Sequence, residues 1–265
     1  MAKKIVVLVK QVIDPEIPES AFLLDSSAMR VTTPPNVTPV INGYDEQAIE
    51  AALRIRDSGL DTEIIVVSLS DSFVMDVIKK PLAMGADSLV LVEDPIFEQA
   101  IDPLPIIDTL EAIVRKIGDV DLILSGRQAS DWDNAQVPIG LAEKLGWPVF
   151  ALARKVEIDK DMLRVERILF DGHDLATSKL PAVVTVSNEL GTPRYPTMRG
   201  IMQSKRSEPE FISIQDLGIT NFRNAFELVS LSKPNSSRVT EIIEAESDED
   251  AGRKLAIRLR EQNLI

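Results

Sequence analysis

The chain has 265 residues, long enough to bury a full core, with 45% hydrophobic and 27% charged side chains. A formal charge of −13 argues against nucleic acid or an anionic membrane as the main partner. With no cysteine and one histidine, disulfides, iron–sulfur clusters, thiol chemistry, histidine triads and His-rich metal sites drop out by count, leaving carboxylates, lysines or a cofactor for any chemistry.

Met1-Ala2-Lys3-Lys4 carries the charge of a signal peptide, but the apolar run at 5–9 is too short for one. No run of about 20 apolar residues exists, so neither a transmembrane helix nor direct membrane insertion is expected, and the expected location is cytoplasmic. Residues 5–9 read as a buried strand from their unbroken β-branched content. In the Pro-containing stretch 14–39, residues 21–24 and 29–32 are compatible with a short hairpin. A helix is expected over 44–56, with Ala48, Ala51, Ala52 and Ile55 on one face. A strand at 63–69, a helix at 72–84 closed by Gly85, and a strand at 88–92 follow. A helix over 106–117 capped by Gly118 leads into a strand at 120–124. This alternation predicts an α/β domain: a parallel twisted sheet with helices on both faces. Ligands bind such sheets beyond the carboxyl ends of the strands, so the ends at 8–10, 68–70 and 125–126 should share one rim.

From Phe150 the pattern changes. Residues 152–158 and 163–169 flank Asp159-Lys160-Asp161 as an antiparallel β-hairpin, and 182–186 is another strand. His173 sits in Phe170-Asp171-Gly172-His173-Asp174, where Asp-Gly signals a turn, and it reads as a surface turn residue. The stretch 191–200 is too rich in Pro and Gly to be regular. Residues 208–237 show weak periodicity, and a terminal helix is expected over 247–262, with acids in its first turn and arginines in its last. The expected division is an α/β domain over 1–190, a loop segment over 191–206, and a C-terminal arm with its helix over 207–265.

The stretch between the strand at 120–124 and the next helix, 137–145, is the most informative: Ser125-Gly126-Arg127-Gln128-Ala129-Ser130-Asp131-Trp132-Asp133-Asn134-Ala135-Gln136-Val137-Pro138. A polar, Gly-started loop there aims unpaired N–H groups at one point, and the helix dipole adds positive potential that suits a phosphate. The alternative is ordinary helix capping by Asp131, Asp133 or Asn134.

The sequence also resembles a known family. Val7-Leu8-Val9-Lys10-Gln11-Val12-Ile13-Asp14, Asn42-Gly43-Tyr44-Asp45-Glu46-Gln47-Ala48-Ile49-Glu50-Ala51-Ala52-Leu53 and Leu82-Ala83-Met84-Gly85-Ala86-Asp87 are similar to the β (small) subunit of electron transfer flavoproteins. So are Gly126 to Asp131, Leu180-Pro181-Ala182-Val183-Val184-Thr185-Val186 and Pro193-Arg194-Tyr195-Pro196-Thr197-Met198, in the right order over nearly the whole chain.

The resemblance implies a Rossmann-like adenine-nucleotide-binding fold in one half of a heterodimer. The larger α subunit would hold the redox FAD, and the C-terminal arm would wrap that partner. This subunit would hold AMP, or a second FAD that accepts hydride from NADH in electron-bifurcating members. Position by position, the adenine pocket would use Leu8, Asn42, Gly43, Tyr44, Asp45 and Leu69. The phosphate loop would comprise Gly126, Arg127, Gln128, Ala129, Ser130, Asp131, Trp132, Asp133, Asn134, Ala135, Gln136 and Val137. Phosphate would lie on the N–H groups around Ala135, Gln136 and Val137, with Asp131 shaping the turn or meeting ribose. The order Gln136-Val137-Pro138 is closer to the Gln-Val-Gly-Pro of FAD-binding members than to the Thr-Gly-Gln of AMP-binding ones. The loop 194–199 would be the recognition loop, with Met198 as apolar anchor beside Tyr195, Thr197 and Arg199, docking on an acyl-CoA dehydrogenase. Its other reading is a proline-stiffened surface loop with Met198 folded back into the core. Electrons would pass on to a quinone reductase, ferredoxin or flavodoxin, and no residue need act as acid, base or nucleophile. A stand-alone adenine-nucleotide module would predict a Gly-rich phosphate loop, which Ser125-Gly126-Arg127-Gln128 lacks.

Overall fold

Runs of Val, Ile and Leu with no polar interruption become the centre of one sheet. The computed structural model describes residues 2–27, 29–98, 101–233 and 240–265. It contains two compact units, Met1–Leu231 and Ser232–Ile265. In the first unit β1 (Lys3–Leu8) leads through β2 (Gln11–Val12), the hairpin β3 (Leu23–Asp25) and β4 (Arg30–Thr32), and β5 (Val40–Ile41) into α1 (Gly43–Asp57). Then come β6 (Thr62–Ser70), α2 (Met75–Ile78), α3 (Lys80–Met84), β7 (Ser88–Glu93), α4 (Pro103–Ile117), β8 (Leu122–Gly126) and α5 (Val137–Leu145). The antiparallel run β9 (Val149–Asp159), β10 (Met162–Leu169) and β11 (Gly172–Lys179) precedes β12 (Ala182–Val186), α6 (Met198–Arg206) and β13 (Glu210–Phe211). The second unit contains α7 (Asp248–Glu261), capped by Ser247, whose hydroxyl accepts from the Asp250 N–H.

Among the described residues the main sheet has 9 strands in the order β11-β10-β9-β12-β8-β1-β6-β7-β13. It is parallel from β9 to β13 and antiparallel from β9 to β11. The period of 2 along β1 divides the core. Ile5 and Val7 pack with Ala48, Ile49 and Ala52 of α1, whereas Val6 and Leu8 pack with Leu110, Ile113 and Val114 of α4 and Leu141 of α5. From β1 the chain builds outward through β6 and β7 on one side, then returns to build through β8 and β12 on the other. The direction therefore reverses between β1 and β8, which opens a crevice at their carboxyl ends.

Three stretches differ from expectation. The single helix at 72–84 is two short ones, because Pro81 at the start of α3 lacks the N–H that a continuous helix would use at that position. His173 is exposed but lies in β11 opposite Ile168, with only Phe170 and Asp171 making the turn. The irregular stretch ends at Thr197, whose hydroxyl accepts from the Gly200 N–H at 3.0 Å and starts α6.

Gly200 is required for space. A Cβ there would stand 2.2 Å from the carbonyl oxygen of Ala83, where α6 crosses α3. Gly200→Ala should destabilise the chain by about 1–3 kcal/mol through forced separation of the two helices. An unchanged denaturant midpoint would show that the helices can part freely.

Candidate functional site

The crevice between β1 and β8 holds a cavity of about 780 Å³. Residues 8–13 beyond β1, Leu69 and Ser70 at the end of β6, and Ser125 and Gly126 at the end of β8 form its base. The loop to α5 forms one wall; Phe97 with Ile106 and Leu110 of α4 gives an apolar wall; and the β3–β4 hairpin closes the far side with Arg30, Val31 and Thr32.

Asp45, in the first turn of α1, is the strut of this site. Its Oδ2 accepts from the Lys10 N–H at 2.7 Å, and its Oδ1 accepts from the Gly126 N–H at 3.0 Å. One carboxylate thus ties the exits of β1 and β8. Gly126 makes this approach possible: a Cβ would come within 2.4 Å of Asp45 Oδ1 and 2.6 Å of Tyr44 Cβ. Burial pushes the Asp45 pKa up to about 7, against the opposing pull of the Lys10 N–H, the Asn42 side chain and the Gly126 N–H.

Asn42 is 1% exposed and works from behind the wall. Its Nδ2 donates to Gln128 O at 2.8 Å and its Oδ1 accepts from the Ser130 N–H at 3.2 Å, so it holds the loop in a two-point grip. Further along, Asp133 and Ala135 take φ values of 51° and 53°, a conformation that few non-glycine residues adopt. Gln128 Nε2 donates to Asp133 Oδ1 at 2.8 Å and the Asp133 N–H to Ala129 O at 2.9 Å, bracing the bend. The loop delivers Gln136 to the N-cap of α5, where no side chain accepts from the first N–H groups. Gln136 and Val137 both line the cavity, and the helix dipole adds positive potential there. Lys10 Nζ meets Asp131 Oδ2 at 2.5 Å, which places a cation beside the loop.

Of the residues expected to hold a nucleotide, Leu8, Asp45, Leu69, Gly126, Gln128, Ala129, Ser130, Asp131, Trp132, Asn134, Ala135, Gln136 and Val137 line this one cavity. Asn42, Gly43, Tyr44, Arg127 and Asp133 stand outside the lining. Arg127 turns away to lie over the Tyr44 ring, 4.9 Å from its centroid, and donates to Ser187 Oγ at 3.3 Å. The apolar wall from α4 and the β3–β4 hairpin were not foreseen, because Phe97, Ile106 and Leu110 look like ordinary core in sequence. Lys10 followed from the strand-end rule alone. Tyr195, Thr197, Met198 and Arg199 form a separate surface, with Tyr195 88% and Met198 76% exposed. Among the described residues no group of three or more His, Cys, Asp or Glu side chains is placed to hold a metal, and no helix is long and apolar enough to cross a membrane.

Comparison with known proteins adds the family. The model of the electron transfer flavoprotein domain family matches residues 36–217. Electron transfer flavoprotein subunit beta of Thermoanaerobacterium thermosaccharolyticum is 32% identical over 98% of this chain and 99% of its own length. The human protein of that name is 33% identical over 95% of this chain and 96% of its own. The caffeyl-CoA reductase–Etf complex subunit CarD of Acetobacterium woodii is 35% identical over 69% of this chain and 70% of its own.

Asp45 gives the site a pH signature. Its folded-state pKa of about 7 lies above that of an unfolded aspartate, so the folded chain holds a proton that the unfolded chain has released across the interval between them. The stability it contributes is full below that interval and is lost as pH rises through it. Asp45→Asn should therefore gain stability relative to the parent between about pH 5 and 8. Guanidinium unfolding of both proteins at the two pH values checks this; a constant difference would mean that Asp45 does not titrate there.

Proposed function

The chain belongs to the electron transfer flavoprotein β-subunit family, and on that premise we propose that it holds an adenine nucleotide in the β1–β8 crevice while pairing with an α subunit that carries the redox FAD. The observation that carries this reading is the N-terminus of α5, left without a side-chain cap at the wall of a cavity located at the reversal of strand order. The residues fit such a ligand: N–H donors at Gln136 and Val137 suit phosphate, and Leu8, Leu69 and the α4 wall suit an aromatic base. When bound, flavin in such a heterodimer supplies the electron transfer, and this chain's residues hold, orient and dock. The segment with Tyr195 and Met198 is the docking surface for an acyl-CoA dehydrogenase-type donor, and the electrons continue to a quinone reductase, ferredoxin or flavodoxin.

A second reading is favoured by one observation. At about 780 Å³, and reaching as far as the β3–β4 hairpin, the cavity exceeds what a mononucleotide fills. A second FAD in place of AMP would use that length, and the complex would then oxidise NADH and bifurcate its electrons.

Three measurements test these readings. Nucleotides released by denaturing the co-expressed heterodimer should amount to one FAD and one AMP, or to two FAD on the second reading. Gln136→Glu, which sets a carboxylate at the start of α5, should lose this subunit's nucleotide without loss of far-UV circular dichroism; unchanged content would remove the phosphate loop from the site. Met198→Glu should slow reduction by a dehydrogenase about tenfold or more with the flavin spectrum intact. An unchanged rate would end the docking assignment.

A further inference from the structure

The exposed docking segment is fastened to the same helix that supports the nucleotide cavity. Glu50 lies on α1, little more than one turn beyond Asp45, and its side chain is only 6% exposed. It accepts three bonds from one residue: from the Arg194 backbone N–H at 3.1 Å, from Arg194 Nε at 2.8 Å and from the second guanidinium nitrogen at 3.2 Å. That second nitrogen also donates to Asp57 Oδ2 at 2.7 Å, near the far end of α1. Arg54 reaches from α1 to both sides, donating to Glu50 Oε1 at 2.9 Å and to Leu190 O at 2.7 Å. Burial acts to raise the Glu50 pKa, but the hydrogen bonds from Arg194 and Arg54 outweigh it and hold the carboxyl below its usual range.

A nearly buried carboxylate with two guanidiniums on it is costly unless every bond is made, and here the bonds include a main-chain N–H of the segment itself. A planar fork engaging both a carboxylate and a second acid fixes direction as well as distance, which a lysine cannot do. The segment is thus pinned at Leu190 and Arg194, and again at Thr197 where α6 begins on α3. Between and just beyond these pins stand Tyr195 and Met198, projecting into solvent. The clamp to α1 fixes the Arg194 end of the segment, as the packing of α6 on α3 fixes the Met198 end.

We infer that Arg194, through Glu50 and Asp57, is a positioning residue for docking, and that it holds Tyr195 and Met198 in their binding arrangement before any partner arrives. This rests on the docking reading above. A pre-ordered segment loses less freedom on association, so removing the clamp acts on the encounter and not on the electron transfer that follows.

The test uses the full heterodimer with a short-chain acyl-CoA dehydrogenase and butyryl-CoA as the reducing couple. Arg194→Gln and Glu50→Gln should speed amide hydrogen exchange over 191–198 and lower the second-order rate constant for flavin reduction about tenfold. The limiting rate at saturating dehydrogenase and the nucleotide content should not change. Arg194→Lys should recover part of the rate. Asp57→Asn, at the exposed end of the clamp, should show the same changes in smaller measure and serves if the other variants do not fold. Unchanged exchange in these variants overturns the inference. Faster exchange with an unchanged rate also overturns it, provided that Met198→Glu still slows reduction, and in that case the docking reading survives. If Met198→Glu and Arg194→Gln both leave the rate unaltered, the docking reading and the clamp fall together.

Discussion

The candidate site depends on one carboxylate placed between two strand ends. The crevice of a doubly wound sheet exists because two adjacent strands lead their chains in opposite directions, and nothing in the sheet itself fixes how far those exits splay. Asp45 fixes it by accepting one main-chain N–H from each exit. The two donors would otherwise be the first unpaired amides beyond the ladder, so the same contact satisfies them and sets the width of the cavity. The arrangement tolerates no Cβ at residue 126 and places a charge where burial opposes it. A site held this way is preorganised at the expense of stability, as functional sites commonly are.

Around this strut α1 acts as the common frame. Its first turn carries Asp45, and Asn42 at its N-cap grips the loop at Gln128 and Ser130. The loop can therefore afford two residues with positive φ, at about 1–3 kcal/mol each, because anchors on both sides over-determine its path. Its outcome is an α5 whose N-cap residue, Gln136, makes no side-chain hydrogen bond to the first turn. The opposite stretch of α1 carries Glu50 and Asp57 and holds the exposed segment. The strut of the cavity and the anchor of the exposed segment thus stand on one element, α1.

Much of this was legible in the sequence, for definite reasons. The strands at 3–8, 62–70, 88–93 and 122–126 announce themselves because their central runs, 5–8, 64–67, 89–92 and 122–124, are unbroken apolar residues buried on both faces. α5 was legible to its boundaries because Pro138 opens it and Gly146 closes it in the left-handed conformation. The misses share another cause. β11 is an edge strand with a half-solvated face, so its Gly-His-Asp-Leu-Ala-Thr-Ser-Lys lacks the apolar alternation that marks a strand. α6 was hidden by Gly200, which lowers helix propensity but is demanded by the crossing on α3. The roles of Asp45 and Glu50 were invisible for the same reason: both face partners more than 30 residues away in sequence, and no local pattern encodes such a pair. Thirteen of the residues assigned to the nucleotide do line one cavity, yet its apolar wall comes from α4, whose residues carry no mark beyond hydrophobicity.

The charge of the chain is unevenly distributed. The chain as a whole is strongly acidic at −13, yet α6 bears Arg199, Lys205 and Arg206 and no acid. Arg194 adds little to that patch because Glu50 and Asp57 neutralise it. Its charge is used internally to hold the backbone, while the three basic residues of α6 face outward beside Met198 and Met202. Exposed methionines within a small basic island on an acidic body give the surface a direction. A partner with an acidic rim would be drawn to this face and repelled by the rest, which raises the encounter rate without deepening the bound state. Fast arrival with easy release would suit the electron carrier proposed above, and a single helix, α1, carries both Asp45, which braces the cavity, and Glu50, which fastens the exposed segment.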